Sequence, residues 1–449
     1  MELKRKIKDY ITAYYKQTNN ALLITGARQT GKTFSIREFG KQFKSFVEIN
    51  FVEQPDAVEL FKGAQNSDDI LLRLSAISTK PLIKGETLVF FDEVQKCPDI
   101  VTAIKFLVNE GSYRYILSGA LLGVELKDLR SEPVGYMSIK TMYPLDFEEF
   151  ISCVGISDSI IDTLRTAWET RKPIDAFVHK KLMELFRLYL VIGGMPAAVN
   201  KYLESNNLQE VMLLQHDIIR LYMRDIAQYD AANKLYINDI FSLIPPELNA
   251  KNKRFVLKRL NENAKFERFK NSFLWLTNAG VAIPVYNVEE PKTPLMLARS
   301  RNLFKLFQSD IGLLAAQYAE GIQMRIIKNE KDINFGAIYE NAVAQELVAH
   351  ELTPYYYNNK KKGELDFLIE IGGQVLPIEV KSGKDYVVHR ALANIMDCKE
   401  YGLKEAIVFC NDNLRTVGNI VYAPIYMVMF LQKKQISNLV YKVDLSGLQ

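Results

Sequence analysis

Residues 26–33 read GARQTGKT, a complete G-x-x-x-x-G-K-[ST] pattern in which Gly26, Gly31, Lys32 and Thr33 hold the fixed places. The intervening Ala27, Arg28, Gln29 and Thr30 complete a loop between an apolar run, ALLIT, and a helix-like TFSIREFGKQF. Glycines at that spacing let the backbone curl, so that N–H groups from about Gln29 to Phe34 face one point beside the positive end of the following helix. Such a cradle suits the phosphates of ATP: Lys32 is placed for the β and γ phosphates, and the Thr33 hydroxyl for Mg²⁺.

A second element fits the same chemistry. In TLVFFDEVQ four apolar residues end at Phe91, and Asp92 then emerges where a buried strand would stop. The carboxyl ends of strands in an open α/β sheet are where ligands bind. Asp92 is the expected partner of the Mg²⁺ shell, and Glu93 the base that orients and deprotonates water for phosphoryl transfer. Ser118, ending YRYILS, is a candidate contact to the γ-phosphate or to that water. Lys32 and Glu93 are thus the catalytic candidates; the alternative is a chance turn and a solvated strand end.

A third set of residues lies near the C-terminus. If Gly372 and Gly373 form the two-residue loop of a hairpin, Asp366 falls directly opposite Glu379, in a pair whose Cα atoms are about 4.5 Å apart. Pro377 takes another position that needs no N–H. Two carboxylates face to face destabilise a hairpin, and a second divalent cation is the candidate that would offset them. Lys381 shares the face of Glu379. An Asp, then Glu-x-Lys on the next strand, after a helix bearing Glu340, resembles the PD-(D/E)XK nucleases, with Leu365 where the name-giving proline would stand. That resemblance implies acids that bind Mg²⁺ and a lysine that helps activate water. An inherited fold with acids neutralised by Lys381, Lys361 or Lys362 is the alternative.

The elements that must position these groups follow a legible rhythm. Short apolar runs alternate with amphipathic segments over residues 1–150, as in a parallel sheet wrapped by helices. Helical periodicity dominates 151–325, and 326–449 returns to an α/β pattern around GAIYENAVAQELVAHE, YYYN, ELDFLIEI and QVLPIEV. With 449 residues, 48% of them hydrophobic, several domains can be buried. The formal charge of +4 is too small to argue for nucleic acid by itself. One local run stands out: 251–270, KNKRFVLKRLNENAKFERFK, has eight Lys or Arg against two Glu. A basic helix of this kind suits DNA or RNA, although a solvated face reads the same way. Phe273 and Trp275 beyond it read as core, and His389 and Arg390 as helix surface. The four cysteines, Cys97, Cys153, Cys398 and Cys410, form no C-x-x-C pair, and a reducing cytoplasm is expected. The longest apolar stretch, 420–431, is too short to span a bilayer, so no membrane partner is expected.

Over nearly the whole chain GARQTGKT, FVEINF, LVFFDEVQ, ILSGALL, YPLDFEEF, GGMPAAV, LFKLFQSDIGLL, and ELDFLIE with IEVKSG resemble the AAA+ ATPases of bacteria and archaea that carry a restriction-endonuclease-like C-terminal domain of unassigned function. The resemblance implies a winged-helix-like middle, with WLTNAGVAIPVYNV as its wing, and an arginine that such sites often borrow from a neighbouring subunit of an oligomer. Its members carry Gly-Arg before the YPLDFEEF-type segment, whereas this chain has Gly135-Tyr136; Arg130, Arg220 and Arg224 are the other candidates. The expected function is ATP hydrolysis coupled to a nuclease-like, nucleic-acid-interacting domain. A nucleotide switch with an inactive C-terminal domain and an ATP-gated, metal-dependent nuclease are the alternatives.

Overall fold

The computed structural model describes residues 3–64, 66–119, 135–229, 234–250, 253–260, 266–330, 333–433 and 442–443. The N-terminal third builds a five-stranded parallel sheet in the order β2-β3-β4-β1-β5. Its strands are β1 (Ala21–Thr25), β2 (Ser45–Asn50), β3 (Thr87–Asp92), β4 (Arg114–Ser118) and β5 (Met137–Thr141). Every residue of β1 and β3 is buried, as the continuous apolar runs require of strands covered on both faces. The covering helices are α1 (Lys6–Gln17), α2 (Lys32–Gly40), α3 (Ser67–Ile77) and α4 (Asp99–Glu110).

Helices then follow in succession. They are α5 (Phe147–Cys153), α6 (Asp158–Thr170), α7 (Ala176–Ile192), α8 (Pro196–Ser205), α9 (Leu208–Tyr229), α10 (Lys234–Asn249) and α11 (Phe266–Asn278). Asp146 starts α5 through a capping box with Glu149, the reciprocal pairing that satisfies two free N–H groups of a helix start. No single described helix is long and apolar enough to cross a membrane.

The last unit is an eight-stranded sheet in the order β12-β13-β11-β10-β9-β8-β6-β7. Two of its strands, β6 (Ala282–Val288) and β7 (Arg299–Gln308), precede residue 326, so the sheet crosses the boundary expected there. After α12 (Ile311–Ala316), α13 (Ile322–Ile327) and α14 (Phe335–Ala349), the chain returns as β8 (Tyr355–Asn359), β9 (Gly363–Ile371) and β10 (Gln374–Val380). α15 (Arg390–Met396), β11 (Ala406–Cys410), β12 (Arg415–Val417) and β13 (Ile420–Pro424) complete it. The helix α11 is followed by the antiparallel β6–β7 hairpin, as a wing would be, but β6 also pairs in parallel with β8. The expected wing is therefore the edge of the C-terminal sheet.

The basic run does not form one helix. Leu257–Arg259 make a turn of 3-10 helix and α11 begins only at Phe266, with residues 251–252 and 261–265 outside the described set. Apolar Phe255 and Phe269 are buried and interrupt the charged pattern. One core, including Phe147, Phe186, Tyr189, Tyr339, Phe367 and Phe409, runs from α5 through α7 and α14 into the eight-stranded sheet.

Candidate functional site

The GARQTGKT loop leaves β1 and enters α2 with three residues at positive φ: Gly26 at 143°, Gln29 at 64° and Gly31 at 93°. Gly26 admits no side chain, because a Cβ there would sit 2.1 Å from the Met142 carbonyl oxygen. Such alternation of backbone hand turns successive N–H groups inward, and the first turn of α2 adds N–H groups that have no acceptor within the helix. Above the loop lies a cavity of about 730 Å³, lined by Arg28, Gln29, Gly31, Lys32, Thr33 and Phe34 from the loop and by Glu93.

Lys32 folds back on the loop, donating to the Gly26 and Ala27 carbonyls at 3.1 and 2.8 Å. Desolvation pushes its ammonium down to about 8, against the opposing pull of Glu93 and Asp92, with Arg28 adding to the fall. A lysine so destabilised as a cation gains from an anion placed in the cavity.

Asp92 ends β3 almost fully buried, and four donors converge on it. The Thr33 hydroxyl reaches Oδ2 at 2.9 Å, the Asn50 amide reaches the same oxygen at 3.3 Å, and the Glu93 N–H and Ser118 hydroxyl reach Oδ1, the former at 3.0 Å. Ser118 is thus engaged by Asp92. Thr33 and Asp92 are both oxygen donors of the kind Mg²⁺ takes beside phosphates, so the residues present fit the cofactor pair. Glu93 sits in the left-handed region at φ 57°, and its carboxylate accepts from the Gln95 side-chain amide.

Several residues of this site carry no recognisable pattern in the sequence. Arg28 is held by Asp225 of α9 at 2.6 Å, and the Tyr222 hydroxyl donates to the Arg28 carbonyl at 3.0 Å. Pro196 and Asn200 of α8 line the cavity, as does Arg5. Asn50 alone had a findable signal: it ends the strand beside β3 and pairs in register with Asp92. Of the candidate arginines, Arg130 lies outside the described residues, Arg220 pairs with Asp217 at 3.0 Å, and Arg224 is exposed.

The C-terminal candidates come together. Gly372 and Gly373 both take positive φ, and the β9–β10 ladder pairs Gln374 with Ile371 through Ile378 with Phe367. The ladder ends there, where the β8–β9 register also shifts, and Asp366 and Glu379 lie just beyond its last pair. Asp366 accepts the Val380 N–H at 2.9 Å, and Lys381 donates to Glu379 at 2.6 Å. Burial first, then the neighbouring Asp366, pushes Glu379 up to about 8. Glu340 of α14 is also buried and its carboxyl is raised, by desolvation and by Asp366.

Two lysines that the motif does not contain complete the cluster: Lys253 pairs with Glu340, and buried Lys305 lies 2.7 Å from Glu364 and 3.7 Å from Glu340. Among the described residues no group of three or more His, Cys, Asp or Glu is placed to hold a metal ion, so the expected second cation gains no support from the geometry. Lysine charge stands where that cation was expected. Lys253 and Arg259, the latter 3.1 Å from Glu247, also turn part of the basic run toward the protein's own acids. His389 donates to or accepts from the Tyr422 hydroxyl at 2.7 Å, a local contact at the start of α15.

Comparison with known proteins divides the chain in three. Residues 18–151 match the AAA domain family, residues 183–324 a domain of unknown function (DUF8612), and residues 335–427 another (DUF4143). No curated protein matches the chain. Similar solved structures include a Walker-type ATPase of Pyrococcus abyssi, at 14% identity and TM-score 0.43, covering 70% of this chain and 96% of that one. The Aeropyrum pernix ORC1 protein in complex with DNA gives 11% identity and TM-score 0.28, covering 74% of this chain and 93% of that one. AMPPCP-bound DnaA from Aquifex aeolicus gives 10% and 0.28, covering 61% and 87%. Residues 18–151 thus match the AAA domain family and carry a complete phosphate-binding loop on a parallel sheet, the build of a P-loop nucleotide-binding domain.

Proposed function

We propose that the AAA domain binds and hydrolyses ATP with Mg²⁺ and that its nucleotide state sets the conformation of a C-terminal unit built like a PD-(D/E)XK nuclease, which meets nucleic acid. The observation that carries this reading is the convergence of Thr33, Asn50 and Ser118 on Asp92 beside Glu93, under a cavity floored by the glycine-rich loop. In it, loop N–H groups and Lys32 hold the phosphates, Thr33 and Asp92 hold Mg²⁺, and Glu93 orients the attacking water. Mg²⁺ supplies charge neutralisation on the phosphates when bound.

The Glu93 carboxylate is tied to the Gln95 side-chain amide. Asp366, Glu379, Lys381 and Glu340 supply the nuclease-like constellation, and the exposed Lys258, Arg268 and Lys270 supply phosphate contacts. Hydrolysis measured with and without DNA and RNA at low salt tests the reading. Turnover that is absent in the wild type, or nucleic acid that neither binds nor alters turnover, sinks the respective half of it.

A second reading is favoured by one observation: Lys253 and Lys305 neutralise Glu340 from inside. On that reading the acids are structural, the C-terminal unit cleaves nothing, and the chain is a nucleotide-dependent switch that binds protein. Divalent-dependent cleavage removed by Asp366→Ala would decide for the nuclease, and cleavage that is absent or survives the change would decide for the switch.

A further inference from the structure

The guanidinium of Arg5 is buried between the phosphate-binding loop and the capping box of α5. Its Nη1 donates to the Thr30 carbonyl of the loop at 2.9 Å, its Nη2 to the Tyr143 carbonyl at 2.7 Å, and its Nε to Glu149 Oε1 at 3.1 Å. Nη1 also lies 3.8 Å from where a Cβ on Gly31 would stand. A planar guanidinium satisfied on three sides fixes position and orientation together, which an ammonium on a flexible stem does not.

The far side of this contact leads into the C-terminal unit. Glu149 shares its capping box with Asp146, and Asp146 Oδ2 lies 2.6 Å from Lys6 Nζ and 3.3 Å from His350 Nε2. His350 immediately follows α14, and its other ring nitrogen lies 2.8 Å from the Leu431 carbonyl. One turn earlier on that helix, Glu346 accepts the Phe147 N–H at 2.8 Å and the Tyr189 hydroxyl at 3.2 Å. The same helix carries Glu340 of the C-terminal acid cluster. Asp146, Glu149, Glu346 and His350 are all nearly or fully buried, where polar contacts are strong and a broken one is costly.

We propose that Arg5 is a positioning residue of the phosphate-binding loop and that, through Glu149, Asp146 and His350, it makes the shape of that loop depend on the seating of α14. The inference rests on the reading of GARQTGKT as the ATP site. Nucleotide that tightens the loop around Thr30 must then also tighten α14, because coupling between two sites acts in both directions. The element that joins the two sites is the α1–α5 junction, held by Arg5–Glu149 and Lys6–Asp146.

The test uses the full chain and Mg²⁺-ATP. In wild-type protein, ATP should slow amide hydrogen exchange in residues 335–349 as well as in the loop at 26–33. Arg5→Ala should weaken ATP binding by about tenfold, the scale of a lost buried, charged hydrogen bond, and should abolish the response of 335–349. Arg5→Lys should recover part of the affinity. Lys32→Ala serves as the control for the site itself. If wild-type protein binds no ATP, the underlying reading fails. If it binds ATP but 335–349 do not respond, or Arg5→Ala binds as tightly as wild type, the role of Arg5 is overturned. The wild-type exchange measurement decides the matter even where the alanine variant does not fold.

Discussion

Thr33 donates its hydroxyl to Asp92 at 2.9 Å, joining the first turn of α2 to the end of β3. The contact sets a neutral oxygen that lines the cavity beside a buried carboxylate, the pair of donors a nucleotide-bound Mg²⁺ uses. Thr33→Ala should therefore leave Mg²⁺-free ATP binding close to wild type while removing the gain that Mg²⁺ brings. Titrations of a fluorescent ATP analogue with and without Mg²⁺ check this, and an undiminished Mg²⁺ effect would count against the placement.

Glu93 and Gln95 make the second case. Glu93 holds a left-handed backbone conformation unusual for a residue with a side chain, and its carboxylate is tied to Gln95. Strain of this kind at a strand end is found where a group must be aimed. Replacing Glu93 by Gln keeps the shape and removes the base. ATP hydrolysis should fall by about 10²- to 10⁴-fold while ATP binding persists, as measured by phosphate release and by equilibrium binding.

These two sites were legible for different reasons. The loop and Asp92-Glu93 are contiguous motifs, and their order between apolar runs dictates a parallel sheet. The β9–β10 register was legible because two adjacent glycines at the turn fix the pairs of the ladder from Gln374–Ile371 to Ile378–Phe367. Arg5, Tyr222 and Asp225 were not legible, since Arg5 reaches the loop from the cap of α1 and the other two from α9, and nothing local marks a contact made across more than twenty residues. The basic run is not one exposed charged face, because charge counts ignore phenylalanines: Phe255 and Phe269 are drawn inward, and the lysine and arginine beside them meet Glu340 and Glu247. β6 and β7 were assigned to the middle because a strand gives no sign in sequence of which sheet it will join.

Lys32 makes nucleotide binding depend on pH. Its ammonium titrates at about 8 in the free protein, mainly through desolvation, and phosphate beside it restores the ordinary higher value. Binding then raises the folded protein's affinity for a proton, so ATP binding near pH 8 should be accompanied by proton uptake, and affinity should fall as pH rises through 8. Calorimetry in two buffers of different ionisation enthalpy measures the uptake. Proton release, or none, contradicts the assignment.

Glu379 makes stability depend on pH in the opposite part of the molecule. Its folded-state value of about 8 lies above the unfolded value near 4.5, so the folded chain holds the extra proton between those limits. Stability from this site is therefore greatest at low pH and is lost as pH rises toward 8. Glu379→Gln, neutral at every pH, should melt close to wild type at pH 5.5 and a few degrees above it at pH 8.5. Equal melting temperatures at both pH values would show that Lys381 alone compensates the charge.

The final prediction concerns how α8 is held over the cavity. A Cβ on Gly194 would stand 2.0 Å from the Leu145 carbonyl oxygen and 2.7 Å from its nitrogen, both backbone atoms that cannot turn aside. The Leu145 N–H also donates to the Gly194 carbonyl at 2.7 Å, and the Gly194 N–H donates to buried Asp310 at 2.6 Å. Gly194→Ala must separate segments that these bonds hold together, at a cost of about 3 kcal/mol, the upper end of ordinary overpacking. Gly63→Ala is the comparison: Gly63 has a positive φ, which Gly194 does not, but meets nothing within 4 Å, so it bears only the left-handed penalty of about 1 kcal/mol. Thermal melts should rank the two variants in that order. The Gly194 change should also weaken ATP binding, because Pro196 stands two residues on, 3.6 Å from a Cβ position on Gly31; equal melting for the pair would mean that the α7–α8 junction yields at no more than the cost of a left-handed alanine.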